Sequence, residues 1–327
     1  MDFYQVIKGT AFLLSSSIEI LGNSILLVFF SCIAYEERLL MTSEVILLNL
    51  IMSNFVMALT RGLPNSLFIY GPPNIFSDIQ CQLLVYVSRV SRAMSICLTC
   101  LLSCYQCVTL MSTTPTCMSM RVRLQTYIGH IIILLLVVNM TMCITPLLYA
   151  VSGNNITISE YAYRASYCIV VLPSNTSLLS QTLTLFARDL MFVAVMSIAS
   201  FSILYTLYKH GKRVKGMRRN AQSQTLPAEA RASKTVSTLV TLYIFFFGID
   251  SCIWFYQSTS SSTILTSTSD IRYFVSVCYS SVFPFVILFY NQKVKHAIEH
   301  HTGEHQSSTG IKLCPNRIRR VMEQGKT

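Results

Sequence analysis

The chain has 327 residues, 52% of them hydrophobic and only 12% charged, with a mean hydropathy of +0.52. Soluble domains carry about a quarter charged residues, so a water-facing fold of this length could not hide so much apolar surface. The formal charge of +11 suits nucleic acid in principle. Here, however, Lys and Arg gather in short hydrophilic segments between apolar runs, which excludes a phosphate-binding face and gives the charge a topological role.

Seven apolar runs follow one another at 6–34, 44–69, 81–111, 127–150, 182–208, 235–257 and 271–290. A bilayer-spanning helix needs ~20 apolar residues. The runs are too long, and too poorly alternating, for ~10-residue barrel strands. The expected fold is an all-α membrane protein, a seven-helix bundle over residues 1–290, followed by a largely disordered cytoplasmic tail at 291–327. The first run lacks a basic leader and cleavage site, so it is expected to act as its own insertion signal.

Segments 35–43, 112–126, 209–234 and the tail hold 18 of the 25 Lys and Arg residues. The positive-inside rule therefore puts these segments in the cytoplasm and the N-terminus outside. The sequons at Asn155 and Asn175 then share one outer loop, where glycosylation is expected. Cys81 opens the third run and Cys168 lies in that same outer loop, so the two can pair; the alternative is two unrelated cysteines. The other cysteines lie mostly in apolar runs. Cys97, Cys100, Cys104 and Cys107 mimic metal spacing, but along one helix they stretch over roughly 15 Å at 1.5 Å per residue. Four ligands on one ion are thereby excluded, and no metal or cofactor is expected.

This arrangement resembles the rhodopsin-like receptor plan, and Gly22-Asn23 in the first run fits it. The usual acidic-Arg-aromatic triplet at the inner end of the third helix is replaced by Tyr105-Gln106-Cys107. Asn54 stands where Asp is common, the sixth run has no proline near Trp254, and Phe283 rather than Asn precedes Pro284. These departures are similar to one branch of that plan. The stretch from Tyr86 through Arg89, Arg92 and Cys97 to Ser103, continued by Tyr105-Gln106, resembles the third-helix signature of vomeronasal type-1 receptors. Arg61-Gly62-Leu63-Pro64 and Pro284-Phe285-Val286 are similar to further motifs of that family. The resemblance implies a plasma-membrane receptor of chemosensory neurons that binds a small organic, pheromone-like molecule and activates a heterotrimeric G protein of the Gi/Go class.

Charges inside apolar runs carry the most information, because each costs about 2.5–3.5 kcal/mol at mid-membrane on insertion scales. Arg89 and Arg92, three residues apart, share a helix face with Ser88 and Val85. Either they cross-link helices through partners such as Asp250, or at least one of them contacts ligand. Arg61, beside a proline expected to kink its helix, either snorkels to the outer headgroups or contacts ligand; Arg272 is read the same way. Trp254 and Tyr273 complete the candidate ligand set. Glu19, deep in the first run, has no partner that can be named, and Arg188-Asp189 suits a watery vestibule. Excess positive charge at this depth points to an anionic ligand.

The inner segment carrying Lys212, Arg213, Lys215, Arg218 and Arg219 continues the fifth run. It serves topology or anionic lipid, or meets the G protein together with Tyr105, Gln106 and Cys107. No nucleophile–base pair or phosphate loop suggests an enzyme. Two other functions stay open: a small-solute transporter, although its usual internal repeats are not evident, and a receptor-like protein that has lost signalling.

Overall fold

The computed structural model describes residues 3–37, 41–70, 75–111, 115–152, 162–165, 167–217, 228–259 and 265–290. Nine α-helices, one π-helical turn and three short strands occur among them. They are α1 (Phe3–Glu37), α2 (Thr42–Met57), the π turn (Ala58–Gly62), α3 (Leu63–Tyr70), α4 (Asp78–Leu110), α5 (Pro115–Met142) and α6 (Thr145–Tyr149), then β1 (Ala150–Ser152), β2 (Ala162–Ala165), β3 (Cys168–Val171), α7 (Asn175–Met217), α8 (Ala228–Thr259) and α9 (Leu265–Tyr290). The second span is α2, the π turn and α3 in series, and the fourth is α5 with α6, so seven spans result.

Helices dominate because hydrocarbon offers the backbone no hydrogen-bond partner, and a helix satisfies its own N–H and C=O groups. Five spans are long and apolar enough to cross a bilayer by themselves. Among the described residues the sixth and seventh contribute shorter apolar stretches, Val236–Asp250 and Val277–Leu288.

Helix ends pass beyond the apolar runs where local chemistry favours them. The third span begins at Asp78 rather than Cys81, because the Ser77 hydroxyl accepts the Gln80 N–H and the Gln80 side chain accepts the Ser77 N–H, a capping box. The fourth span starts at Pro115, which suits a first helical turn that needs no N–H donor. The fifth is extended at both ends, from Asn175 to Met217. Asn155, Arg218, Arg219 and the tail beyond Tyr290 lie outside the described residues, as do the side chains of Asn175, Lys212, Arg213, Lys215, Trp254, Arg272 and Tyr273.

α4 is the central post, with Ile96, Cys97, Leu98 and Ser103 at most 1% exposed. The same core takes in Leu50 and Ile51 of α2, Met196 of α7, Leu239 and Val240 of α8, Phe283 and Ile287 of α9, and Leu26 and Phe30 of α1, which packs on α2 and α9. Close approach of α1 to its neighbours depends on two glycines. A Cβ at Gly22 would come within 2.8 Å of the Pro284 ring, and one at Gly62 within 2.6 Å of the Ser16 hydroxyl. The kink expected at Pro64 takes the form of the π turn immediately before it, in keeping with the proline's missing backbone donor.

Candidate functional site

The outer end of the bundle is roofed by an antiparallel sheet in the order β1-β3-β2, with Ala150 opposite Val170 and Ala165 opposite Cys168. A disulfide joins Cys168 of β3 to Cys81 of α4, with a Cα–Cα distance of 5.8 Å. Under the roof, Val85 packs with Cys81, Ala150, Tyr167, Val170 and Leu172 in a small apolar core. Val85 is thus part of the roof's footing. On the other side the Ser152 N–H donates to Asp78 Oδ1 at 2.7 Å, which ties β1 to the first turn of α4.

A second tie follows from Pro64. In an α-helix its N–H would return to the carbonyl of Thr60, but proline has none. The hydroxyl of Tyr167, next to the disulfide, donates to the Thr60 carbonyl at 2.5 Å. Burial pushes the Tyr167 phenol above its usual pKa, with the Arg61 charge opposing, so this hydroxyl keeps its proton and stays a donor. Arg61, half-buried within the π turn, therefore sits beside the clasp and also within electrostatic reach of Glu19, which is 1% exposed on α1.

Below the roof, Ser88 and Arg89 are half-buried on α4. One turn further in, and about 16 Å below Cys81 at 1.5 Å per residue, Arg92 Nη2 donates to Asp250 Oδ2 of α8 at 2.9 Å. The acid is 7% exposed and the guanidinium 27%. Both line a cavity of about 40 Å³ together with Ser95 and the aromatic rings of Tyr243, Phe246, Phe247 and Tyr279. Tyr243 meets Tyr279 edge-on, with centroids 5.0 Å apart. Ser95 donates to Asn54 Oδ1 at 2.8 Å and so links α4 to α2.

Of the three arginines expected to supply positive charge, Arg92 is thus neutralised by Asp250, and Arg61 has Glu19 near it. Arg188 and Asp189 do not face a separate vestibule. The Arg188 fork closes on Asp189 through Nε at 2.9 Å and Nη2 at 2.6 Å. Its Nη1 donates to Asn139 Oδ1 at 3.2 Å and to Cys143 Sγ at 3.6 Å. Asn139 in turn donates to Cys97 Sγ at 3.4 Å, joining α7, α5 and α4.

At the inner end of α4, Tyr105 and Gln106 are buried and Cys107 is half-buried. The Tyr105 hydroxyl accepts from Gln125 Nε2 of α5 at 3.3 Å. Cys97 and Cys100 are buried, whereas Cys104 and Cys107 are half-buried, so the cysteine stripe runs down the helix.

Sequence reasoning missed the aromatic walls at Tyr243, Phe246, Phe247 and Tyr279, and the link through Asn139. For Asn139 a signal existed: it is a lone amide in a very apolar run, 1% exposed.

A covalently anchored roof, seven spans and a charged pair at mid-bundle define a rhodopsin-like receptor fold. Squid rhodopsin superposes with a TM-score of 0.70 over 98% of this chain and 90% of that one, at 14% sequence identity. Residues 6–300 match the model of the vomeronasal organ pheromone receptor family, and the chain belongs to that family. Olfactory receptor class A-like protein 1 of Danio rerio is 34% identical over 90% of this chain and 92% of its own length. Human vomeronasal type-1 receptor 1 is 27% identical over 88% of this chain and 81% of its own length. The chain is therefore a multi-pass membrane protein and a chemosensory G-protein-coupled receptor, with a small ligand and a heterotrimeric G protein as partners, and not an enzyme.

Proposed function

We propose that this receptor binds a small organic molecule bearing a carboxylate or other strong acceptor oxygens in the outer half of the bundle, and that it activates a Gi/Go-class G protein at the plasma membrane of chemosensory neurons. Arg89 carries the ligand reading: it lies half-buried on α4, between the disulfide-anchored roof and the Arg92–Asp250 pair. Arg61, Arg89 and Arg92 together give this half of the bundle its preference for acceptors, with Asp250 meeting Arg92 in the unliganded receptor. A guanidinium fork suits a planar carboxylate or sulfate. Ser88 and the side chains of Trp254, Arg272 and Tyr273 complete the proposed contacts. The G-protein assignment is carried over from the family, with Cys107 and the basic end of α7 as the proposed contact and glycans at Asn155 and Asn175 on the outer face.

The test is a screen of small carboxylates, sulfates, amines and neutral steroids on cells expressing the full chain. Anions are expected among the strongest agonists, and pertussis toxin, which disables Gi/Go, is expected to abolish their signal. Losing a charge-assisted bond costs about 1.5–3 kcal/mol, so Arg89→Gln should weaken anionic agonists roughly tenfold to a hundredfold at unchanged surface level, with partial recovery in Arg89→Lys. Strong agonism confined to amines or hydrocarbons overturns the reading.

A further inference from the structure

Among the residues lining the cavity beside the Arg92–Asp250 pair, Asp250 alone is acidic, and it is engaged by Arg92. The cavity's volume of about 40 Å³ takes a few waters, or a group the size of a carboxylate, at roughly 10–15 Å³ per water; a whole organic ligand does not fit. Arg92 offers its guanidinium there, and Asp250 Oδ2 meets Nη2. Tyr279, which forms part of the wall, is 6% exposed. Its hydroxyl makes no well-formed hydrogen bond: the Thr99 hydroxyl, which donates to the Ser95 carbonyl, is a polar neighbour outside hydrogen-bond geometry. Asn54 Nδ2, behind Ser95, is likewise buried without an acceptor, while the Ser95 hydroxyl is committed to Asn54 Oδ1. A buried donor with no acceptor is a standing cost. The rings of Tyr243, Phe246 and Phe247 give the cavity apolar walls, which strengthens any charge-assisted bond made inside it.

We propose that Arg92 exchanges partners: the acid group of the ligand enters this cavity, takes the Arg92 guanidinium and the Tyr279 hydroxyl, and displaces Asp250. The inference rests on the proposed acceptor-bearing ligand and adds where its head group goes and what that displaces. A carboxylate has two oxygens to satisfy two donors, whereas Asp250, held on α8, serves the guanidinium and leaves the Tyr279 hydroxyl without a well-formed hydrogen bond. Because Asp250 belongs to α8 and Arg92 to α4, the same exchange unties the sixth span from the third. Binding energy is thereby turned into a change of helix packing, the kind of local charge event that biases a two-state element.

The experiment uses the full-length receptor with a G-protein readout, benzoate, hexanoate and cinnamate as probes, and their primary amides as controls. Asp250→Asn keeps the shape and removes the competing charge. It should raise ligand-independent signalling and move carboxylate dose-responses to about tenfold lower concentration, with the amides unmoved. Tyr279→Phe removes a hydroxyl that makes no well-formed bond in the free receptor, so folding is preserved; carboxylates should lose several-fold in potency and amides nothing. Asp250→Asn at the cell surface with unchanged or weaker carboxylate potency overturns the exchange. If that variant does not reach the surface, parental potency in Tyr279→Phe overturns it instead. Carboxylates that respond to Arg89→Gln but to neither of these variants leave the acceptor reading standing and remove the exchange alone. Failure of every carboxylate on the parent receptor removes both.

Discussion

The outer and inner ends of the bundle are held together by different means. Outside, a disulfide, the Tyr167–Thr60 clasp and the Ser152–Asp78 bond fix the roof to the second and third spans. At the inner end, Tyr105 and Gln106 are packed into the helices, with a 3.3 Å hydrogen bond from Gln125 to the Tyr105 hydroxyl. An arginine in that position would offer a charged group, and here the position holds neutral side chains. The proposed ligand site thus has a cross-linked frame, whereas the proposed G-protein contact takes its charge from the basic end of α7. The contrast predicts that recognition and coupling depend on separable parts, which the variants below test.

Breaking the outer frame should have the largest effect. The Cys81–Cys168 bridge closes a loop with a sequence separation of 87, and removing a native disulfide typically costs about 2–5 kcal/mol. Cys81→Ser, Cys168→Ser and the double variant should all lose most surface expression, and to the same degree, because each removes the same bond. Surface labelling against total protein measures this. A single variant that reaches the surface and responds like the parent would show that the roof stays in place without its covalent anchor.

Next comes the inner end. Neutralising Lys212, Arg213, Lys215, Arg218 and Arg219 together should cut G-protein activation at least tenfold while leaving agonist potency within about threefold, a split between coupling and recognition. Some loss of surface level follows from weakened topology signals, so activation is normalised to labelled receptor. Unchanged coupling after this correction would mean that the neutral end of α4 suffices.

The spans and the candidate disulfide pair were legible because they depend on hydropathy, charge sidedness and placement, all one-dimensional properties. Arg92 and Asp250 stood out because charge inside an apolar run demands a partner. Tyr243, Phe246, Phe247 and Tyr279 did not stand out, since an aromatic ring in a span reads alike whether it faces lipid or a cavity. Helix ends were misjudged where capping by Ser77 and Gln80, or continued polar helix to Met217, took over from hydropathy. The π turn was beyond reach for another reason. Pro64 announces that a backbone bond is lost, but not that Tyr167, 107 positions from Thr60, will replace it.

That replacement gives the finest probe of the outer frame. Tyr167→Phe keeps the ring against Phe76, now at a centroid distance of 5.1 Å, and removes only the donor to the Thr60 carbonyl. The expected cost is about 0.5–1.5 kcal/mol, smaller than that of the disulfide because one bond is lost and the sheet remains anchored. If Pro64 is what makes this carbonyl dependent on Tyr167, then Pro64→Ala, which supplies an N–H four residues on, should shrink the effect of Tyr167→Phe. A double-mutant cycle on the melting temperature of detergent-solubilised receptor reads the coupling directly. Strict additivity of the two changes would separate the clasp from the proline and leave the π turn without its stated cause. Because Arg61 lies within the turn, the same cycle read out as agonist potency tests whether the clasp also aims that guanidinium. A potency loss in Tyr167→Phe for carboxylates but not for their amides is the expected result, and an equal loss for both would confine the clasp to holding the roof.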